Sequence, residues 1–108
     1  MTASEENHQG FLAFENTIAV EFLAFHLDNP LVYELLVRFS RQVKQAGFNR
    51  YSMDAIYHRV RWHMTFEVAS KPTEFKLNND FTSRYARLIM QQEPDLEDFF
   101  EVRVLRSA

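Results

Sequence analysis

Apolar residues recur at steps of three and four from Phe11, through Phe14, Ile18 and Phe22 to Phe25. That spacing puts them on one face of a helix. The other face holds Glu15, Thr17 and Glu21, while Ala13, Ala19, Val20 and Ala24 widen the apolar arc beyond what one neighbour covers. Two readings follow, a core helix or one that also packs on a second subunit. In the second, Phe11, Phe14, Ile18 and Phe22 form the interface of a homodimer.

Asp28-Asn29-Pro30 closes that helix. Asn29 can cap, and Pro30 suits the first position of a new helix, where its missing N–H is no loss. The next helix is expected to run to about Ala46, with Gly47 as its left-handed closing residue. Its buried stripe is Val32, Leu35, Leu36, Phe39, Val43 and Ala46, and Arg38, Arg41 and Lys44 lie near its carboxyl end, complementing the dipole. Ser52 reads as the N-cap of a third helix, with Asp54 in its first turn and Met53, Ile56, Val60 and Met64 inward.

Phe66-Glu67-Val68 and Glu74-Phe75-Lys76-Leu77 flank the polar Ser70-Lys71-Pro72-Thr73, which predicts a two-stranded hairpin. Asn78-Asn79-Asp80 caps a fourth helix to about Gln92, buried through Phe81, Tyr85, Leu88 and Ile89 and stopped by Pro94. Phe100, Val102 and Val104 alternate with Glu101 and Arg103, as a last strand would. The expected fold is therefore α+β and mostly helical, winged-helix-like. It has about four helices and a small antiparallel sheet from residues 66–68, 74–77 and 100–104. Residues 1–10 are expected to be a disordered tail ahead of a single domain, 11–108.

Composition adds constraints. With 108 residues, 46% of them hydrophobic, the chain can bury a real core. It has no Cys, which removes disulfides, thiolate zinc sites and Cys nucleophiles, and fits a reducing cytoplasm. The start of the chain lacks the basic segment of a signal peptide, and Glu15, Asn16 and Glu21 interrupt the first apolar run, so a membrane partner is not expected.

Charge is segregated along the chain. Residues 1–37 hold six acids and no Lys or Arg, whereas residues 38–90 hold ten bases against four acids. A basic, aromatic-bearing block of this kind suggests a polyanion-binding face. The helix at 80–92 opens with Asn79, Thr82, Ser83, Arg84 and Arg87, side chains suited to base edges and phosphates. Lys71 and Lys76 on the hairpin at 66–77, with Arg59 and Arg61, would hold the DNA backbone. The opposing reading pairs these charges with the acidic ends of the chain. The long connection from Thr65 to Asn79 also departs from the short turn of a helix-turn-helix.

Catalytic and cofactor chemistry finds little purchase. His58 and His63 are five apart, off a common helical face, and no carboxylate completes a metal site. Glu74-Phe75-Lys76 echoes the acid-x-Lys element of metal-dependent nucleases, but the second acid would have to be Glu67 in the same hairpin. No Gly-rich phosphate loop or serine elbow is present. The expectation is a protein without enzyme activity or cofactor.

The pattern Phe25-His26, Asn29-Pro30, Val32-Tyr33, Tyr51-Ser52, Arg61-Trp62, Phe75-Lys76-Leu77-Asn78-Asn79, Tyr85-Ala86-Arg87 and Phe99-Phe100-Glu101-Val102-Arg103 resembles small uncharacterised proteins encoded in bacteria, phages and prophages. The likeness covers about residues 22–106. It implies a prokaryotic or phage setting among genes that handle DNA. It equally implies the rival function, a mobile-element protein that binds and modulates a host protein.

Overall fold

Asn29 interrupts two long helices. Its backbone N–H and its side-chain amide both donate to the Phe25 carbonyl, at 2.9 and 3.1 Å. This closes α1 (Ala3–Asp28), and Pro30 opens α2 (Pro30–Gln45). The computed structural model describes residues 3–68 and 74–101. They fall into two compact units, Met1–Pro30 and Leu31–Ala108. No helix among the described residues is long and apolar enough to cross a membrane.

The larger unit grows from the buried stripe of α2. Val32, Leu35, Leu36, Val37 and Phe39 are buried, and so is Ser40. The Ser40 hydroxyl donates to the Leu36 carbonyl at 2.6 Å, so burial leaves no polar group without a partner there. Gly47 has φ +108°, and Gly47 N and Phe48 N donate back to the carbonyls of Lys44 and Val43. This pair of bonds is a Schellman closure, and it requires the backbone freedom that glycine has.

Helix α3 (Met53–Trp62) is capped by Ser52 and buries Met53, Ile56, Tyr57 and Val60. It runs on into a π-helical turn, His63–Glu67, closed by Val68 N donating to the His63 carbonyl at 3.1 Å. The expected strand 66–68 is therefore helical. Three alternating residues are too few to impose a strand, and the helical spacing of Trp62 with Phe66, and of His63 with Glu67, wins. The Trp62 and Phe66 rings lie 4.6 Å apart, and His63 Nδ1 lies 2.9 Å from Glu67.

Residues 74–78 have no regular secondary structure and no sheet ladder. Three of their backbone groups are met by side chains instead. Phe75 N donates to Thr65 Oγ1, Arg61 donates to the Leu77 carbonyl, and the Tyr57 hydroxyl donates to the Asn78 carbonyl at 2.7 Å. A 3-10 turn, Asn79–Phe81, leads into α4 (Thr82–Gln92), which buries Tyr85, Ala86 and Ile89. Pro94 starts a second 3-10 turn, Pro94–Leu96, and Leu96, Phe99 and Phe100 complete the core.

These findings overturn the expected α+β, winged-helix-like fold with its small antiparallel sheet. The described residues form four α-helices and short helical turns without a strand. Phe100 makes only a single parallel bridge to Tyr51, while residues 102–104 of the expected last strand lie outside the described residues, as does the hairpin tip from Ser70 to Thr73.

Gly47→Ala has open space for its methyl, so its cost comes from the positive φ alone. We expect a loss of roughly 1 kcal/mol in urea unfolding with an unchanged helical circular dichroism spectrum. An unchanged unfolding midpoint would contradict this account of the α2 closure.

Candidate functional site

The amino ends of α3 and α4 open onto one cleft. At the first, Ser52 Oγ accepts from Ala55 N at 3.4 Å, and Tyr51 N donates to the Phe99 carbonyl at 3.0 Å. The second bond sets Arg50 and Tyr51 beside the segment that reaches Glu101. At the other amino end, Asn78 Oδ1 accepts from Asp80 N at 2.9 Å, and the Thr82 hydroxyl donates to the Asn79 carbonyl at 3.1 Å. The cleft has a volume of about 550 Å³. Its lining includes Arg50, Tyr51, Ser52, Asp54, Thr82, Ser83, Arg87 and Glu101. Two arginines face two carboxylates, so the cleft itself is close to charge-balanced.

Arg61 stands at the start of α4 in a different electrostatic position. It donates to Asn79 Oδ1 at 2.8 Å and to the Leu77 carbonyl at 3.1 Å, and contacts His58 Nδ1 at 2.8 Å. Its guanidinium also lies 5.7 Å from the centre of the Tyr57 ring. Among the described residues it bonds no carboxylate, so it is held in place with its charge uncancelled. Arg50 is also held by a backbone acceptor, with Nε donating to the Asp98 carbonyl at 3.3 Å, but it shares the cleft with Asp54 and Glu101. Burial raises the Tyr57 hydroxyl to about 12, with Arg61 opposing that rise, so it remains a hydrogen-bond donor at neutral pH.

Other bases are neutralised. Arg59 pairs with Glu67 at 2.9 Å and lies 4.5 Å from the centre of the Phe39 ring. The hydrogen bond from Arg59, and then that from His63, hold the Glu67 carboxyl below its ordinary range. Arg41 bonds Glu93 and Asp95, both at 2.9 Å, and Lys44 donates to the Asp95 carbonyl. The hydrogen bond from Arg41 lowers the Asp95 carboxyl in the same way.

The residues expected at the DNA face are thus partly brought together. Arg61 and Asn79 touch, and Thr82, Ser83 and Arg87 share the cleft. Arg84 lies on α4 without lining the cleft, Lys76 is exposed on the 74–78 segment, and Arg59 is engaged with Glu67. Lys71 lies outside the described residues. On α1, Phe14 is exposed, Ile18 and Phe22 are half-buried, and the Phe11 side chain lies outside the described set. Arg50, Tyr51 and Glu101 were not legible as site residues, because a bond between positions nearly fifty apart assembles them. The only local signal is their place immediately before the Ser52 cap. Among the described residues, no group of three or more His, Cys, Asp or Glu could hold a metal ion. Glu74 and Glu67 are both exposed, and Glu67 is held by Arg59 and His63.

Asp95 has its proton affinity lowered by folding, so its contribution to stability is complete above the ordinary carboxylate value, about 3.9. It is lost as pH falls through the lower native value. Asp95→Asn should therefore flatten the decline of the urea midpoint on acidification below about pH 5. An equally steep decline in the variant would dismiss the Arg41 pairing as its source. Compared with known proteins, the chain matches no family model, no curated protein and no solved structure.

Proposed function

We propose that this is a non-catalytic DNA-binding protein that grips the phosphate backbone at the amino end of α4. The observation that carries the reading is Arg61, fixed against Asn79 by neutral acceptors and therefore still charged toward a polyanion. A phosphate beside it would also meet the amino end of α4, where the helix dipole favours an anion. Ser83, Arg84 and Arg87 extend the contact along the helix, with Arg50 across the cleft. Lys76, Lys71 and Thr82 have supporting parts. Arg59 has a lesser one, since Glu67 already cancels its charge. A cytoplasmic setting accompanies this reading.

An exposed apolar patch favours a second reading, a small module that binds and modulates a host protein. Trp62 is 58% exposed, beside Phe66 and Val68, which are about half exposed. Trp is prominent among residues that anchor protein interfaces.

Fluorescence anisotropy with a labelled duplex separates the two. DNA binding at about 50 mM salt should weaken linearly on a log–log salt plot, with a slope of about −0.9 per phosphate contact. Arg61→Ala and Arg87→Ala should each weaken binding to all sequences alike and reduce that slope by about 1. Trp62→Ala should leave it unchanged. Absence of binding at low salt ends the DNA reading and leaves the protein-binding one.

A further inference from the structure

Helix α1 has no wholly polar side. Away from Ile18 and Phe22, the residues Ala13, Asn16, Val20, Leu23 and Leu27 step by three and four along one exposed seam. Val20 is 65% exposed, Leu23 56% and Leu27 69%. Single exposed leucines are ordinary, but a helix apolar on opposite sides requires cover on both. Thr17 borders the seam, and its hydroxyl already donates to the Ala13 carbonyl at 2.9 Å, so covering Thr17 leaves that hydroxyl satisfied.

The order of side-chain sizes selects the cover. Small residues, Ala13, Asn16 and Thr17, occupy the amino half, and Leu23 and Leu27 occupy the carboxyl half. In an antiparallel pair of such helices centred on Val20, Leu27 of each copy falls opposite Ala13 of the other, and Leu23 opposite Thr17. Leucines then meet small residues toward both ends of the seam, with Val20 against Val20 at its centre, which is how packed layers interdigitate. A parallel pair would crowd Leu27 on Leu27 and leave a gap between the two Ala13 residues.

Charge permits the same arrangement. The positions flanking the seam are Thr17 and Ala24 on one side and Ala19 and His26 on the other, with no Asp, Glu, Lys or Arg. Glu21 lies about 120° and Asp28 about 100° around the helix from the seam's centre, both beyond Thr17 and Ala24 on that side. Two identical acidic helices therefore meet without carboxylates at the contact, and antiparallel dipoles attract.

We infer that α1 of a second copy covers this seam, antiparallel about a two-fold axis at Val20. The inference is independent of DNA binding and uses a different face from the one through Phe11, Phe14, Ile18 and Phe22. From Ala13 to Leu27 the seam is about 21 Å long. That length supplies less than the roughly 800 Å² per partner of a standard interface, so the dimer is weak, with Kd on the order of 10 µM.

The chain has no Cys, so single introduced cysteines report the geometry directly. Val20→Cys should form a disulfide-linked dimer under mild oxidation. Ala13→Cys alone should not, because its two copies would be about 21 Å apart, while a mixture of Ala13→Cys with Leu27→Cys should cross-link. Sedimentation equilibrium should show dimer at roughly 100 µM, and Val20→Glu with Leu27→Glu should be monomeric with unchanged circular dichroism. A wild-type monomer at that concentration overturns the inference. So does a dimer that Val20→Cys fails to lock, or one in which Ala13→Cys cross-links to itself. If the double Glu variant unfolds, the cysteine pairs still decide.

Discussion

The segment from Glu74 to Asn78 crosses the larger unit without a sheet, and its backbone must still find hydrogen-bond partners. Three side chains supply them: Thr65 at the π turn, and Tyr57 and Arg61 on α3. The bonds to Phe75 and Leu77 stand where the expected hairpin would have had its ladder, and the bond to Asn78 follows directly after it. Together they tie α3 to the entry of α4, so the placement of Arg61 beside Asn79 follows from how this one segment is satisfied. The buried Tyr57 ring, 6.3 Å from that of Tyr85, continues the same connection into the core.

The basic middle of the chain is divided by what each cation faces. Arg41 and Arg59 meet carboxylates, and the field each presents to solvent is largely cancelled. Arg50 and Arg61 bond carbonyl and amide oxygens or an imidazole, and among the described residues neither bonds a carboxylate. Position along the chain does not separate these groups, since Arg59 and Arg61 are two residues apart. Helical rotation does, by turning Arg59 toward Glu67 and Arg61 toward Asn79.

Helix α1 poses a different problem. From Asn16 onward its sequence is apolar around much of the circumference, and the acids of that stretch, Glu21 and Asp28, lie off the exposed seam. Such a helix satisfies its backbone alone but not its surface. The asymmetry between small residues in one half and leucines in the other is information that a lone helix does not use.

Much of the helical framework was legible locally. Pro30, Gly47, Ser52, Asn78 and Pro94 each act within a turn of their own position, through a missing N–H, a positive φ or a side-chain cap. They mark where the helices begin or end, and three- and four-residue spacing marks the buried faces. The short apolar pieces at 66–68 and 74–77 carried no such decisive signal. Three or four residues fit a strand or a helical turn equally. Residues 66–67 joined the turn running on from α3, and 74–77 formed neither, its backbone bonded by side chains of Thr65 and Arg61. Ser83 and Arg87 were singled out from sequence for their side-chain chemistry near the start of one helix. Their meeting with Arg50, Tyr51 and Glu101 was not legible there, because it rests on the bond from Tyr51 to Phe99, far apart in the chain. Local chemistry thus determined the helices and their ends. Only tertiary contact decided which polar groups bond one another, and hence which charges remain uncancelled.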